Sequence, residues 1–288
     1  MLPDSTKIRI AENEEDNLML QSAAGYYFNL AEYLNYACWM LCIISALISF
    51  GSDKLVFTIF MIFADILAAI CGWFVIHYTE NAADLRRLFD QRVVFANEKD
   101  KSLDERNRLK EIALCYCDRH KRKYSRDSMN NGGDILPGKK DWYEFAEQIK
   151  APYAQIECLD QNKWWDKKLQ TIRWAIMLLF CIFLVISIVI FIWFFRGALP
   201  LPAFINAIAV VAARCVERFV QYIRYWEATI KASTALEIVK ENPTTKSVKM
   251  CFSYFDEYRH IPVLEISIIH RRLAGKMTRL YRNIKSCD

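Results

Sequence analysis

Apolar positions in this chain gather into two dense blocks, each broken once, with the polar stretch 79–171 between them. Leu34 to Phe50 and Leu55 to Tyr78 flank the turn Gly51-Ser52-Asp53-Lys54. Ile172 to Phe195 and Leu199 to Ala213 flank a second turn around Arg196-Gly197. A hydrocarbon core about 30 Å thick is crossed by about 20 helical residues, and inside it every backbone N–H and C=O needs an internal partner, so such stretches must be helices. The pattern predicts an all-α membrane protein of two transmembrane helical hairpins, four spans in all. The expected layout is an N-terminal tail (1–33), hairpin one (34–78), a helical cytosolic insert (79–171), hairpin two (172–213) and C-terminal cytosolic helices (214–288).

The second span does not stop at the membrane. No Gly or Pro falls between Trp73 and Asn97, and Leu85, Leu88 and Phe89 keep helical spacing, which predicts one long helix leaving the bilayer as a stalk. Ser102 with Glu105 fits a capping box, followed by Leu109, Ile112, Ala113 and Tyr116 at helical spacing. Asn130-Asn131-Gly132-Gly133-Asp134 is a loop by composition. Asp141 with Glu144 suggests another helix start, with Trp142, Phe145, Ala146 and Ile149 as its apolar stripe; Pro152 ends that helix or begins the next. The fourth span continues toward Glu241, since Phe219, Ile223, Trp226 and Ile230 share a face, and Asn242-Pro243 ends it. Beyond Lys246, Ile266, Ile269, Leu273, Met277 and Leu280 follow an a/d-like pattern, while Arg271, Arg272, Lys276 and Arg279 form a basic face suited to phosphates, to anionic headgroups or simply to solvent. No strand-like alternation persists.

Charge sets the orientation. The insert carries 19 Lys and Arg and residues 214–288 carry 14, against one in each short turn, so the insert and both termini are expected in the cytoplasm of a plasma membrane. The mean hydropathy of +0.06 conceals this segregation. The first apolar stretch sits behind Glu12, Glu14, Glu15 and Asp16, unlike a cleaved secretory signal. Of ten cysteines, Cys38, Cys42, Cys71 and Cys181 lie in apolar spans, where a thiol behaves as a small hydrophobe. Cys115 and Cys117 with His120 lack the spacing of a usual zinc site. No glycine-rich phosphate loop, H-E-x-x-H or nucleophile elbow occurs, and the expectation is a protein that is not an enzyme and has no cofactor.

Polar groups at depth are the candidate functional residues. Asp65, mid-way along the second span, costs a few kcal/mol unless paired or hydrated; it either lines a hydrated interior or packs helices together. Asn206 in the fourth span is the second, with interhelical hydrogen bonding the favoured role. Ala203 with Ala207 and Ala209 with Ala213 allow close helix approach and support a homo-oligomer. Trp164 and Trp165, beside Lys163, Lys167 and Lys168, suit an inner-interface anchor and could also stack a ligand.

Phe89-Asp90-Gln91-Arg92-Val93, Asp141-Trp142-Tyr143, Gln161-Asn162-Lys163-Trp164-Trp165-Asp166 and Arg259-His260-Ile261-Pro262-Val263, in this order relative to four spans, resemble the SMODS-associated four-transmembrane pore-forming effectors of bacteria. The resemblance covers most of the chain beyond the N-terminal tail. It implies a role in antiphage defence, in which a cyclic oligonucleotide from a neighbouring synthase switches on an inner-membrane permeabilising effector; no nucleic acid polymer is expected as partner. With that ligand class, Arg92, Arg259 and His260 join Trp164 and Trp165 as candidate sensing residues, since cations suit phosphate. Arg92 could equally pair with a carboxylate such as Asp166. Two other readings stand beside this one: a non-conducting receptor or scaffold that recruits a soluble partner, and a lipid-acting enzyme built on Asp166, His77 and Glu80.

Overall fold

The computed structural model describes residues 2–49, 55–96, 102–132, 134, 137–145, 147–194, 201–263, 273, 275–281 and 283–284, although some side chains in 177–194 and 201–207 lie outside that description. Helices account for nearly all of it: α1 (Ser5–Glu12), α2 (Glu15–Ile48), α3 (Leu55–Val93), α4 (Leu103–Arg119), α5 (Lys121–Met129), α6 (Tyr153–Phe194), α7 (Leu201–Glu241) and α8 (Thr245–Arg259). Among the described residues the only strand-type pairing is an isolated bridge between Asn131 and Lys140.

Four of these helices are far longer than a bilayer is thick. At 1.5 Å per residue, the 42 residues of α6 extend about 60 Å. In α2, α3 and α6 a half with buried polar residues adjoins one with exposed apolar residues, whereas α7 exposes apolar residues from Ile205 to Ile238. In α3, Leu85, Leu88 and Phe89 are fully buried, while Leu55, Ile59, Phe60, Phe63, Ile66 and Trp73 are exposed. In α6, Leu159 is buried, while Leu178, Leu179, Ile182, Phe183, Ile186, Ile190 and Trp193 are exposed. An apolar surface of this extent suits hydrocarbon rather than water. Both α2 and α3 are long and apolar enough to cross a membrane. They run antiparallel, with Tyr27 stacked on Tyr78 at 5.6 Å and the Cys38 thiol donating to the Ala68 carbonyl at 3.3 Å.

The opposite halves share one hydrophobic core with α1, α4 and α8, built on Ile8, Leu20, Leu85, Leu88, Phe89, Leu109, Leu159, Leu236, Val248 and Phe255. The stretch 1–33, to which the sequence pattern assigns no element, is therefore helical over α1 and the first half of α2 and supplies core residues of its own. Local signals placed several boundaries correctly. The Ser102 hydroxyl accepts from the Glu105 N–H at 3.2 Å and starts α4. Helix α7 runs unbroken to Glu241 before Asn242-Pro243, although its face bearing Phe219, Trp226 and Ile230 points outward and its core face is Tyr222, Tyr225, Ala228, Ala232 and Leu236. In the C-terminal segment Met277, Thr278 and Tyr281 are buried and Leu280 is exposed; Ile266, Ile269, His270, Arg271 and Arg272 lie outside the described residues.

The helix expected from Asp141 does not form. Asp141 adopts φ 48°, a left-handed conformation that Asp tolerates but that no N-cap uses. Its N–H donates to the Asn13 side-chain oxygen at 3.1 Å, and its carboxylate accepts from Asn13 Nδ2 at 2.9 Å. The next amides are taken by distant side chains as well: Tyr143 N–H by Glu12 (2.9 Å), Glu144 N–H by Gln161 (2.9 Å) and Ile149 N–H by the Ser5 hydroxyl (2.8 Å). With its donors satisfied by α1 and α6, the segment has no need of helical hydrogen bonds. Pro152 immediately precedes α6.

Glu12, at the end of α1, is completely buried. Desolvation pushes its carboxyl up to about 8, against the pull of the Tyr143 N–H, with Asp141 adding to the rise. A folded-state value above the unfolded one means that the unfolded chain loses its proton first. Stability therefore falls as pH rises from about 4.5 to about 8 and levels off above that. Glu12→Gln keeps the acceptor for Tyr143 and removes the titration. The expected outcome is a variant whose stability advantage grows across this window to a few kcal/mol, on the order of the shift itself; thermal unfolding in detergent from pH 4 to 9 measures it.

Candidate functional site

The four motifs that are separated in sequence meet at one buried carboxylate. Asp90, fully buried on α3, accepts from Arg259 Nη1 at 2.5 Å and from the Tyr143 hydroxyl at 2.9 Å, with Arg86 Nη2 at 3.6 Å one turn earlier. The Tyr143 oxygen in turn accepts from Asn162 Nδ2 at 3.3 Å. The Tyr258 hydroxyl makes a short hydrogen bond to Asp166. Burial opposes the charge on Arg259, yet Asp90, with Tyr258, Tyr143 and Asp166 nearby, holds the guanidinium above its ordinary range. Burial likewise pushes the Tyr143 and Tyr258 phenols well up, so both stay protonated as donors.

Behind this node lies a cavity of about 870 Å³, within the size range of small-molecule sites. Its lining comes from the first half of α2, from α5, from Gly132, Gly138, Lys139 and Trp142, from α6 between Gln161 and Arg173, from Tyr225 midway along α7, and from the end of α8. Seven Arg and Lys line it against four Asp and Glu, a formal excess of three positive charges. Some of these cations also hold the fold: Arg86 lies over the Trp142 ring at 4.7 Å, and Arg126 pairs with Asp127 at 3.1 Å. Arg122 is exposed and makes no ion pair among the described residues. Aromatic rings are interleaved with the charges, among them Tyr26, Trp142, Trp165 and Tyr225. Cations beside flat rings match ligands that carry both phosphates and bases.

The sequence-predicted sensing residues divide. Trp165 and Arg259 line the cavity. Trp164 stands edge-on to Trp165 and packs on Tyr281 at 5.2 Å. His260 Nε2 lies 3.4 Å from Asp84, and its Nδ1 lies 2.8 Å from the Asp256 carbonyl. Its pKa is raised, chiefly by that Asp84 hydrogen bond. Arg92 lies outside the cavity wall and pairs with Asp16 at 3.4 Å rather than with Asp166. Asp65 is half-buried in the apolar half of α3 with no hydrogen bond or ion pair among the described residues, and the Asn206 side chain lies outside them. Asp166 is engaged by Tyr258, whereas His77 stacks on Trp73 and hydrogen-bonds Asn81 at 3.0 Å. The α5 cations and Lys139 were not singled out from the sequence, although the run Lys121-Arg122-Lys123 was a visible signal.

Removing one partner of a buried ion pair leaves an uncompensated charge. Arg259→Ala is expected to cost about 3–5 kcal/mol of stability, a folding defect before any loss of sensing. The double variant Asp90→Asn with Arg259→Met should recover much of it. Thermal unfolding of Asp90→Asn, of Arg259→Met and of the double measures the coupling, and additive losses would contradict the pairing.

No curated protein and no solved structure matches this chain. A family model described as the SMODS-associating 4TM effector domain matches residues 6–242, from α1 to the end of α7, so Arg259 and His260 lie beyond the matched range. That domain is associated with SMODS cyclic-oligonucleotide signalling systems. With the match spanning the α3, 141–143 and α6 partners of the Asp90 node as well as most of the cavity wall, the chain belongs to the family of SMODS-associating 4TM effector domains.

Proposed function

We propose that this protein is a ligand-gated membrane effector without enzymatic activity. The apolar halves of α2, α3, α6 and α7 form two hairpins, four spans of a bacterial plasma membrane, with both termini and the cavity on the cytoplasmic side. A cyclic oligonucleotide enters the cavity, its phosphates on Arg122, Lys139 and neighbouring cations and its bases against the aromatic rings. The observation that carries this reading is the continuity of α2. Its residues from Gln21 to Tyr33 line the cavity, and the same unbroken helix runs on to Ile48 through the apolar region.

A ligand shifts such a protein only by its differential affinity for the two conformations. A displacement of the cytosolic half of α2 or α6 moves the apolar half with it, because a continuous helix transmits rotation and translation along its axis. Assembly of several copies through their exposed apolar faces then gives a permeation path. Asp65, half-buried and unpaired among the described residues of an otherwise apolar helix, is the residue placed to meet water there.

Dye and ion release from vesicles holding the purified protein, measured with a panel of cyclic di- and trinucleotides, tests this. The expected result is release by one nucleotide. Arg122→Ala, which removes a charge that the fold does not use, should raise the concentration needed by about tenfold or more. Silence across the panel with correctly inserted protein would replace the pore with a non-conducting receptor that recruits a soluble partner.

A further inference from the structure

A second, smaller cavity lies on the other side of the Asp166–Tyr258 hydrogen bond. It has about 340 Å³ of space between α6, α7 and α8, and Asp166 and Tyr258 line both cavities. Its level along the molecule is fixed by two contacts. The Tyr222 hydroxyl donates to the carbonyl of Gln170, which lines the cleft, at 3.3 Å, and the Trp174 ring packs on Tyr222 at 4.6 Å. The upper edge of the cleft is therefore where the lysine-bearing half of α6 gives way to its apolar half.

Charged, hydroxylic and apolar groups are sorted within this cleft. Lys163 and Lys167, four residues apart on one helix face, line one side. Lys167 is exposed, and its ammonium makes no hydrogen bond or ion pair among the described residues; its carbonyl accepts from the Thr171 hydroxyl. Lys163 is held by Glu237 at 2.7 Å, and Glu237 also lies 3.6 Å from Lys240, which could retain it if another anion took Lys163. Ser233 and Thr234 add hydroxyls on the facing helix. Trp226 and Ile230, about half exposed at 49% and 48%, supply an apolar flank. The acid in the cleft, Asp166, is already met by the Tyr258 hydroxyl and by the charge of Arg259.

Two ammonium groups and two hydroxyls beside a tryptophan, level with the start of an apolar helix half, are the complement of a phosphate joined to a hydrocarbon chain. We propose that this cleft binds the phosphate of an anionic phospholipid of the cytoplasmic leaflet, with Lys163, Lys167, Ser233 and Thr234 on the headgroup and Trp226 and Ile230 along the glycerol and upper acyl chain. This rests on the membrane-spanning reading of α6. A lipid seated there presses on the same Asp166–Tyr258 wall that closes the larger cavity, so the composition of the membrane bears on how readily that cavity rearranges.

Native mass spectrometry of the full chain in detergent, doped with phosphatidylglycerol and phosphatidylcholine of identical acyl chains, tests the site. Wild type should retain phosphatidylglycerol on the order of tenfold better, and so should K246Q/K249Q, which removes two lysines outside the cleft. K163Q/K167Q should bring the two lipids to parity. K167Q alone, which breaks no contact within the protein, should lose about fivefold of the preference. No preference in wild type, or a preference kept by K163Q/K167Q, would overturn the site. Displacement of the lipid by equimolar inorganic phosphate would identify a soluble phosphate as the occupant and overturn the lipid assignment. A chain that stays soluble without detergent and retains neither lipid would overturn the membrane reading itself, and the proposal with it.

Discussion

A carboxylate with no access to water organises the half of this molecule that holds the main hydrophobic core. Asp90 sits on α3 with Arg259 from the end of α8, Tyr143 from an irregular segment and, through Tyr143, Asn162 from α6. A lone buried charge would be very costly, so each of these partners is required by the others. The consequence is geometric. Three segments that are distant in sequence are fixed against α3, and the cavity is the space left between them, α2 and α5. The motif residues with the most suggestive chemistry thus hold the walls first and line the cavity second.

Mounting that cavity on long helices links its shape to their apolar halves. The main core is shared by all the long helices, whereas their apolar halves are largely exposed. A rearrangement at the cavity need not pass through a flexible joint to reach them. Among the described residues the smaller core, between the apolar halves, consists of little more than Cys38, Cys42 and Ala68 with Leu41, Cys71 and Val210 around them. Packing of small side chains at that level resists sliding less than the extensive aromatic and aliphatic core below it.

Much of the helical frame was legible in the sequence because its signals are local. The uninterrupted run from Trp73 through Phe89, the Ser102 cap and the Asn242-Pro243 stop depend on neighbours a few residues away, and each holds in the structure. The stretch around Trp142 was misread because what decides its conformation comes from far along the chain: Asn13, Glu12 and Ser5 satisfy its backbone in place of a helix. The N-terminal stretch was underread for the same reason, since its apolar residues matter only once α3 and α6 lie beside them. Within the site, residue types were read correctly but partners were not. Arg92 finds Asp16 across the bundle, a pairing without a sequence signature, and the α5 cations become a wall only because α5 folds over α2.

The claim on which the rest depends is that the cavity bounded by α2, α5 and α6 is where the signal is received. Photo-affinity labelling of the solubilised full chain with 8-azidoadenine cyclic di- and trinucleotides, followed by peptide mapping, addresses it directly and without reference to conduction. The account predicts labelling, suppressed by excess unlabelled nucleotide, in the peptides that carry Tyr26, Trp142 or Trp165. Suppressible labelling confined to surfaces outside this cavity, or none with any of the probes, would contradict it.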